Sequence, residues 1–352
     1  MFYMYSISII IPVYKAHDYI ERCLDSIISQ TCEDLTIECI LVNDYTPDDS
    51  MEIVKKKIKS NDKRLKFKII NHSENKGASA ARNSGIKVAE GDFLLFVDSD
   101  DYLEAKALQA FTNELSKIRN QEDVDVVIGN TYLYKSKTIA MENDICDSLL
   151  IDNRRGDALR KLLSREVIHL VCNKMIRRDY LLNNRLFFEE GIICEDILWA
   201  YLIFYHAQCV LLMSNVTYVY FDNPLSVTNT LRERVVQIIF SRIIICEKIL
   251  QQPPEGKMMI EYYAYIFFIL HRAIDLYERN KNSAANLKVR LYSLRNSFLK
   301  EVWKKNYYLS FLFFLTLVKP FYYVSHFRWY RRYFDRLYKF DISLNHISPF
   351  RH

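Results

Sequence analysis

Glycine is scarce in this chain, at seven residues in 352, and proline is no commoner, also at seven. A collagen-like or low-complexity chain is excluded on that count alone. With 50% hydrophobic and 26% charged residues, a disordered chain is excluded too. Eight cysteines are present, but no C-x-x-C pair, so neither a zinc site nor a disulfide framework is indicated. No stretch approaches about 18 uninterrupted apolar residues, the length a membrane-spanning helix needs. The start, MFYMYSISIIIPVYK, has no basic segment and no small-residue cleavage site, which points to a reducing, cytoplasmic setting. Both G-x-x-x-x-G-K-[ST] and G-x-G-x-x-G are missing, which argues against a P-loop and against a dinucleotide-binding fold.

What is present is unevenly spread. The net charge of +5 conceals a nearly neutral body and a basic end. Residues 300–352 hold ten Lys and Arg against three Asp and Glu, interleaved with 17 aromatics. At 352 residues, more than one packed unit is expected.

The first 130 residues alternate strand and helix patterns. Ser6–Val13 is a continuous β-branched run, as in a strand buried on both faces. Asp18 is placed to cap the helix that follows, with Glu21 three residues on. Thr36–Asn43 gives a second strand, and a Lys-rich helix from about Asp49 to Ser60 comes after it. Leu65–Asn71 alternates enough to lie near a sheet edge. A small-residue helix (Gly77–Ala89) precedes a buried strand at Phe93–Val97, and a fifth strand is read at Val124–Ile128. This order implies a mostly parallel sheet with helices on both faces, binding its ligand beyond the carboxyl ends of the strands. Between 132 and 229 the pattern loosens, with helices near Ala158–Ser164 and Ile197–His206 and short strands at Val210–Met213 and Val216–Phe221. Beyond Leu231 the chain reads as helical, broken at Pro253–Pro254 and at Pro320.

The strand ends carry the chemistry. The first closes on Pro12-Val13-Tyr14 and the second on Asn43-Asp44, with Thr46 and Asp48 beyond. The third leads to Asn75-Lys76-Gly77 and on through Arg82 to Gly85. The fourth closes on Asp98-Ser99-Asp100-Asp101. Three carboxylates after a buried strand repel one another unless a cation or solvent relieves them. Oxygen ligands of this kind suit Mg²⁺ or Mn²⁺ completed by phosphate oxygens and water. Helix capping by the same aspartates is the alternative. The Gly77–Gly85 segment serves equally for close ligand approach, with Arg82 as a fixed charge, or for tight helix–sheet packing. Glu195-Asp196 opens a later helix, where carboxylates favour the dipole; the functional alternative is a general base.

Taken in order, SIIIPVYK, LVNDYTPDDS, NKGASAARNSG, FVDSDD and EDILW resemble the family 2 glycosyltransferases of GT-A fold, strongly over residues 5–105 and more loosely over 170–228. The resemblance implies an α/β domain at 1–229, with a nucleotide-sugar half (1–130) and an acceptor half (131–229); the residues beyond it read as a helical, aromatic-rich basic extension at 230–352. It implies a nucleotide-diphospho-sugar donor, with a UDP-sugar favoured, held by Pro12, Val13, Tyr14, Asp44, Asn75 and Arg82. Asp98 would face the ribose and Asp100 the metal, Mn²⁺ or Mg²⁺, with Asp98 also beside it. Asp196, with Glu195 next to it, matches the position of the catalytic base, and transfer would invert the sugar's anomeric centre. Two departures stand out. Lys15 occupies a position where the family usually has Asn, and Asn43-Asp44-Tyr45-Thr46 replaces Asp-Asp-Gly-Ser. Both are read as variation in donor fit.

The tail completes the expectation. Tyr307–Val318 is too short to span a bilayer, but with Phe327–Tyr333 it resembles an interfacial segment, aromatics at the headgroups and cations toward anionic lipid. No nucleic-acid module accompanies these basic residues, so no nucleic-acid partner is expected. A peripheral enzyme on the inner face of the plasma membrane is anticipated, transferring sugar to a glycan or lipid-linked acceptor in surface polysaccharide or glycolipid synthesis. The alternative is a non-catalytic scaffold that keeps the fold.

Overall fold

The computed structural model describes residues 5–30, 35–60, 65–120, 123–134, 138–140, 147–221, 223, 234–255 and 258–305. The interfacial segments expected at 307–318 and 327–333, and Pro320, lie outside them.

Four strands build the parallel part of the sheet: β1 (Tyr5–Val13), β2 (Leu35–Asn43), β3 (Lys66–Asn71) and β4 (Phe93–Phe96). In sheet order they run β3-β2-β1-β4, all parallel. Central β1 explains its own composition: Ile7, Ile9, Ile10, Ile11 and Val13 are fully buried, because helices cover both faces. At the edge, β3 has no fully buried residue, in keeping with the edge position its sequence predicts. The connecting helices are α1 (Ile20–Ile28), α2 (Ser50–Ser60) and α3 (Ala78–Val88). Gly85 of α3 sits on Ile10, where an added Cβ would come within 2.4 Å of its Cγ2. Tight helix–sheet packing is therefore the use this glycine has.

The remaining strands make the rest of the sheet mixed. They are β5 (Tyr102–Leu103), β6 (Val126–Leu133), β7 (Thr138–Ala140), β8 (Leu149–Asp152), β9 (Lys174–Arg177) and β10 (Cys209–Tyr220). Short β9 lies antiparallel between β4 and β6, so β6 and the β10 beside it again run in the direction of β1. The two short strands expected at 210–221 are one strand, irregular between Leu212 and Tyr218. Helices α4 (Ala107–Ser116), α5 (Asp157–Leu163), α6 (Arg178–Asn183) and α7 (Glu195–His206) complete the domain's connections. One expectation fails locally: Tyr19, not Asp18, takes the N-cap position of α1, and no side chain caps it.

The described residues divide into two compact units. The first holds those between 5 and 158, 169–191 and 199–223; the second holds 159–168, 192–198 and those from 234 on. The first unit contains the sheet. In the second, α8 (Val235–Leu250), α9 (Met259–Arg279) and α10 (Lys288–Lys305) pack on one another. Most of α9 is buried, from Tyr262 through Ala273 without a break. No helix among the described residues is long and apolar enough to cross a membrane.

Candidate active site

Because β1, β2, β3 and β4 are parallel, their carboxyl ends share one edge of the sheet, and every polar strand end read from the sequence falls there. The Asp44 N–H donates to the Val13 carbonyl at 3.0 Å, and the His72 N–H to that of Asn43 at 2.9 Å. Val13 is buried and Tyr14 is 42% exposed at the rim. Pro12 is half-buried beside them.

Asp44 is almost fully buried, and its carboxylate is in use within the protein. It accepts from the Lys76 and Gly77 amides at 2.9 and 2.8 Å and lies 2.7 Å from His72 Nδ1. Asn75 is exposed and donates to the Asp44 carbonyl at 3.3 Å. Asp44 thus ties the end of β2 to the turn at Gly77, whose φ of 86° is a conformation glycine adopts freely. Asp44→Ala should leave two amide donors without their acceptor and cost about 3 kcal/mol of stability in urea unfolding.

The two departures from the family pattern share a backbone conformation. Lys15 and Tyr45 both have positive φ, 51° and 56°. Asn tolerates that region and Gly prefers it, so the usual residues are the unstrained ones. Here hydrogen bonds hold the turn instead. Asn43 Oδ1 accepts from the Thr46 amide at 2.9 Å, and Thr46 Oγ1 accepts from the Lys15 amide at 2.8 Å. The uncharged Asn43 therefore does the turn's work without a second carboxylate. Tyr45→Gly should raise stability by up to about 1 kcal/mol in the same unfolding measurement.

The acidic loop after β4 is held from several sides. Buried Arg82, on α3, donates from Nη2 to Asp98 Oδ1 at 2.7 Å, and its guanidinium lies 5.3 Å from the Phe188 ring centre. Asn223 donates from Nδ2 to Asp100 Oδ2 at 2.9 Å. Fully buried Asp101 accepts from the Tyr218 hydroxyl at 2.5 Å and from the Phe221 amide at 2.7 Å. Asp101 therefore joins the loop to the end of β10 and is not available to a ligand. Burial, and next the charges of Asp100 and Asp98, push its carboxyl well up. Asp100 is pushed up as well, first by burial and then by the charge of Asp98.

Among the described residues no group of three or more His, Cys, Asp or Glu converges as a metal site. Mg²⁺ and Mn²⁺ at a diphosphate typically take only one or two carboxylates, the rest of the shell being phosphate and water. Asp98 and Asp100 supply that number. Arg82 engages one oxygen of Asp98, whose side chain is 36% exposed, and no other described residue bonds its carboxylate. A cation would also relieve the burial and repulsion that raise Asp100. This donor set fits a cation whose other ligands come from a diphosphate.

Glu195 and Asp196 open α7 and are both half-buried, at the positive end of the helix dipole. They belong to the second unit. There burial pushes the Tyr265 phenol up, with Arg165 opposing and the Asp196 carboxylate adding to the rise.

Several site residues had no signal of their own in the sequence. Arg22, on the polar side of α1, reaches the carbonyl of Asp100. Asn83 of α3 bonds the Phe188 backbone in both directions and also Glu190, at 2.8–2.9 Å. Tyr218 and Asn223 lie within 170–228, where the resemblance to the family is looser and assigns no role to either.

The chain matches the model of "Glycosyl transferase family 2" over residues 8–183, half its length. It belongs to the family 2 glycosyltransferases. Uncharacterized glycosyltransferase EpsJ of Bacillus subtilis is 34% identical over 225 residues, 63% of this chain and 62% of EpsJ. The matched part is thus less than two thirds of that relative. Among solved structures, S. aureus TarS 1–349 in complex with UDP superposes with a TM-score of 0.61 at 21% identity, over 84% of this chain and 81% of that one. Mannosyltransferase PcManGT from Pyrobaculum calidifontis, in complex with GDP-Man and Mn²⁺, gives 0.53 at 14% identity, over 90% and 86%. At these identities both likenesses concern the fold. A family 2 glycosyltransferase of GT-A architecture is what the sheet order and the strand-end residues had indicated.

Proposed function

We propose that this family 2 glycosyltransferase is an active, metal-dependent, inverting enzyme that moves a sugar from a nucleotide-diphospho-sugar to an acceptor hydroxyl. One observation carries the reading. Asp98 and Asp100 stand at the common carboxyl edge of the parallel strands, where burial and then the Asp98 charge push the Asp100 carboxyl up.

In this reading the nucleotide lies along that edge, against Pro12, Val13, Tyr14, Asp44, Asn75 and Arg82. Asp44 takes part chiefly by fixing the Lys76–Gly77 turn, its Oδ2 keeping a lone pair for the base. Asp98 faces the ribose and, with Asp100, holds Mn²⁺ or Mg²⁺. Such an ion, when bound, stabilises the extra negative charge of a departing nucleoside diphosphate by several kcal/mol. Asp196, supported by Glu195, accepts the proton of the acceptor hydroxyl as its oxygen bonds to the anomeric carbon. The bond from that carbon to the diphosphate breaks on the opposite face, so the configuration inverts.

The same proposal extends to setting. Residues 1–229 form the transferase domain and 230–352 its extension. The basic, aromatic end places the enzyme on the cytoplasmic face of the plasma membrane, where a glycan or lipid-linked acceptor for surface polysaccharide or glycolipid is made. α10 supports this with Lys288, Arg290, Arg295, Lys300, Lys304 and Lys305 against the single acid Glu301. Screening UDP- and GDP-sugars for Mn²⁺-dependent hydrolysis and thermal stabilisation tests the reading. A scaffold would respond to none of them.

A further inference from the structure

Arg22 is a cation beside the acidic loop that the proposed reaction leaves without a role. It stands on α1, half-buried, and its Nη2 donates to the backbone carbonyl of Asp100 at 2.7 Å. Its guanidinium carbon lies 3.8 Å from the ring centre of Phe221 and 4.8 Å from that of Tyr102. Nε is buried without a hydrogen-bond partner, so Arg22 gives up solvation to occupy this position. The three groups it touches come from two parts of the chain: the acidic loop with β5 just after it, and the residue that follows β10.

Phe221 is itself tied to the loop, because its amide donates to Asp101. Its ring also lies against Tyr134, with centres 4.9 Å apart, and Tyr19, at 5.9 Å. A guanidinium is flat enough to lie on aromatic faces while an in-plane N–H still reaches a carbonyl; an ammonium has no such plane. The arrangement fixes the main chain of Asp100, the residue whose carboxylate direction matters most for a cation.

We propose that Arg22 is a positioning residue of the donor site. It clamps the backbone of Asp100 between α1, Tyr102 and Phe221, so that the Asp100 carboxylate keeps the direction in which, with Asp98, it would hold a cation. This rests on the donor-site reading above and adds to it a residue that touches neither nucleotide nor metal. Groups that orient metal ligands from behind typically govern affinity by about 10- to 100-fold.

The test uses the full chain with Arg22→Met, which keeps the length of the side chain and its apolar packing, and Arg22→Lys, which restores a donor without the plane. UDP and GDP are titrated calorimetrically with Mn²⁺ and with EDTA, and thermal midpoints are recorded alongside. For whichever nucleotide the wild type binds, Arg22→Met should reduce the affinity gained from Mn²⁺ by about tenfold or more. Binding in EDTA should stay as in the wild type, and Arg22→Lys should recover part of the Mn²⁺ effect. Tyr102→Leu, which removes one ring from the clamp, should move in the same direction and provides the test if Arg22→Met does not fold. An unchanged Mn²⁺ effect in a folded variant, or an equal loss with and without Mn²⁺, overturns the positioning role. A wild type that binds neither nucleotide in a Mn²⁺-dependent way overturns the donor-site reading itself, and this inference with it.

Discussion

Asp100→Asn is expected to abolish Mn²⁺-dependent donor binding and to lower transfer by at least about 10²-fold. The substitution keeps the shape of the side chain and a partner for Asn223 while removing the charge. It also removes the repulsion with Asp98 and the burial of an ionised carboxyl, both of which push Asp100 up. The folded protein should therefore hold or gain stability as activity disappears. That opposition separates a charge kept for a ligand from one kept for the fold. Transfer assays with a nucleotide sugar, together with thermal unfolding of the same variant, check both halves. Loss of activity together with a large loss of stability would point to a structural role instead.

Asp196→Asn should behave differently. Donor and Mn²⁺ binding are expected to survive at wild-type affinity, while turnover falls by about 10²-fold or more, the loss typical of a missing general base. The amide preserves size and hydrogen bonding at the start of α7 but cannot take a proton from the acceptor. Hydrolysis of the donor by water should fall less than transfer to the true acceptor if the acceptor hydroxyl depends on this base. Equal turnover in wild type and variant would place the base elsewhere. Glu195→Gln, which alters the supporting carboxylate of the same helix turn, should lower turnover less than Asp196→Asn.

The sequence was most legible where the periodicity was simple. The runs of β1, β2 and β4 are mostly buried and rich in β-branched, aliphatic and aromatic residues, so strand and layer follow directly. β9 escaped notice because Lys174-Met175-Ile176-Arg177 offers only two apolar residues between charges; it is a strand because β4 and β6 flank it. β10 looked like two strands because Ser214 and Asn215 interrupt the apolar run, yet the irregular pairing carries the chain through them. Asp18 looked like a cap, but a side chain one residue too early makes no bond to the first turn of α1.

The site divides in a similar way. Three carboxylates closing a buried strand announce themselves, and Arg82 lies in a segment whose small residues draw attention. Asp44 was read as a ligand contact; its carboxylate also holds amides more than thirty residues away in sequence. No spacing rule reveals that. Asp101 resembled its neighbours in sequence but differs in partner, since Tyr218 reaches it from β10. Arg22 and Asn223 likewise become visible only once the ends of α1, β4 and β10 are brought together.

The central claim is that Asp98 and Asp100 hold a divalent cation on the diphosphate of the donor. Anomalous diffraction from crystals grown with UDP and Mn²⁺ tests it most directly. The account predicts one manganese peak at bonding distance from the Asp100 carboxylate and from oxygens of both phosphates. Nucleotide bound along the strand ends with no such peak, or with manganese bound only elsewhere, would contradict it.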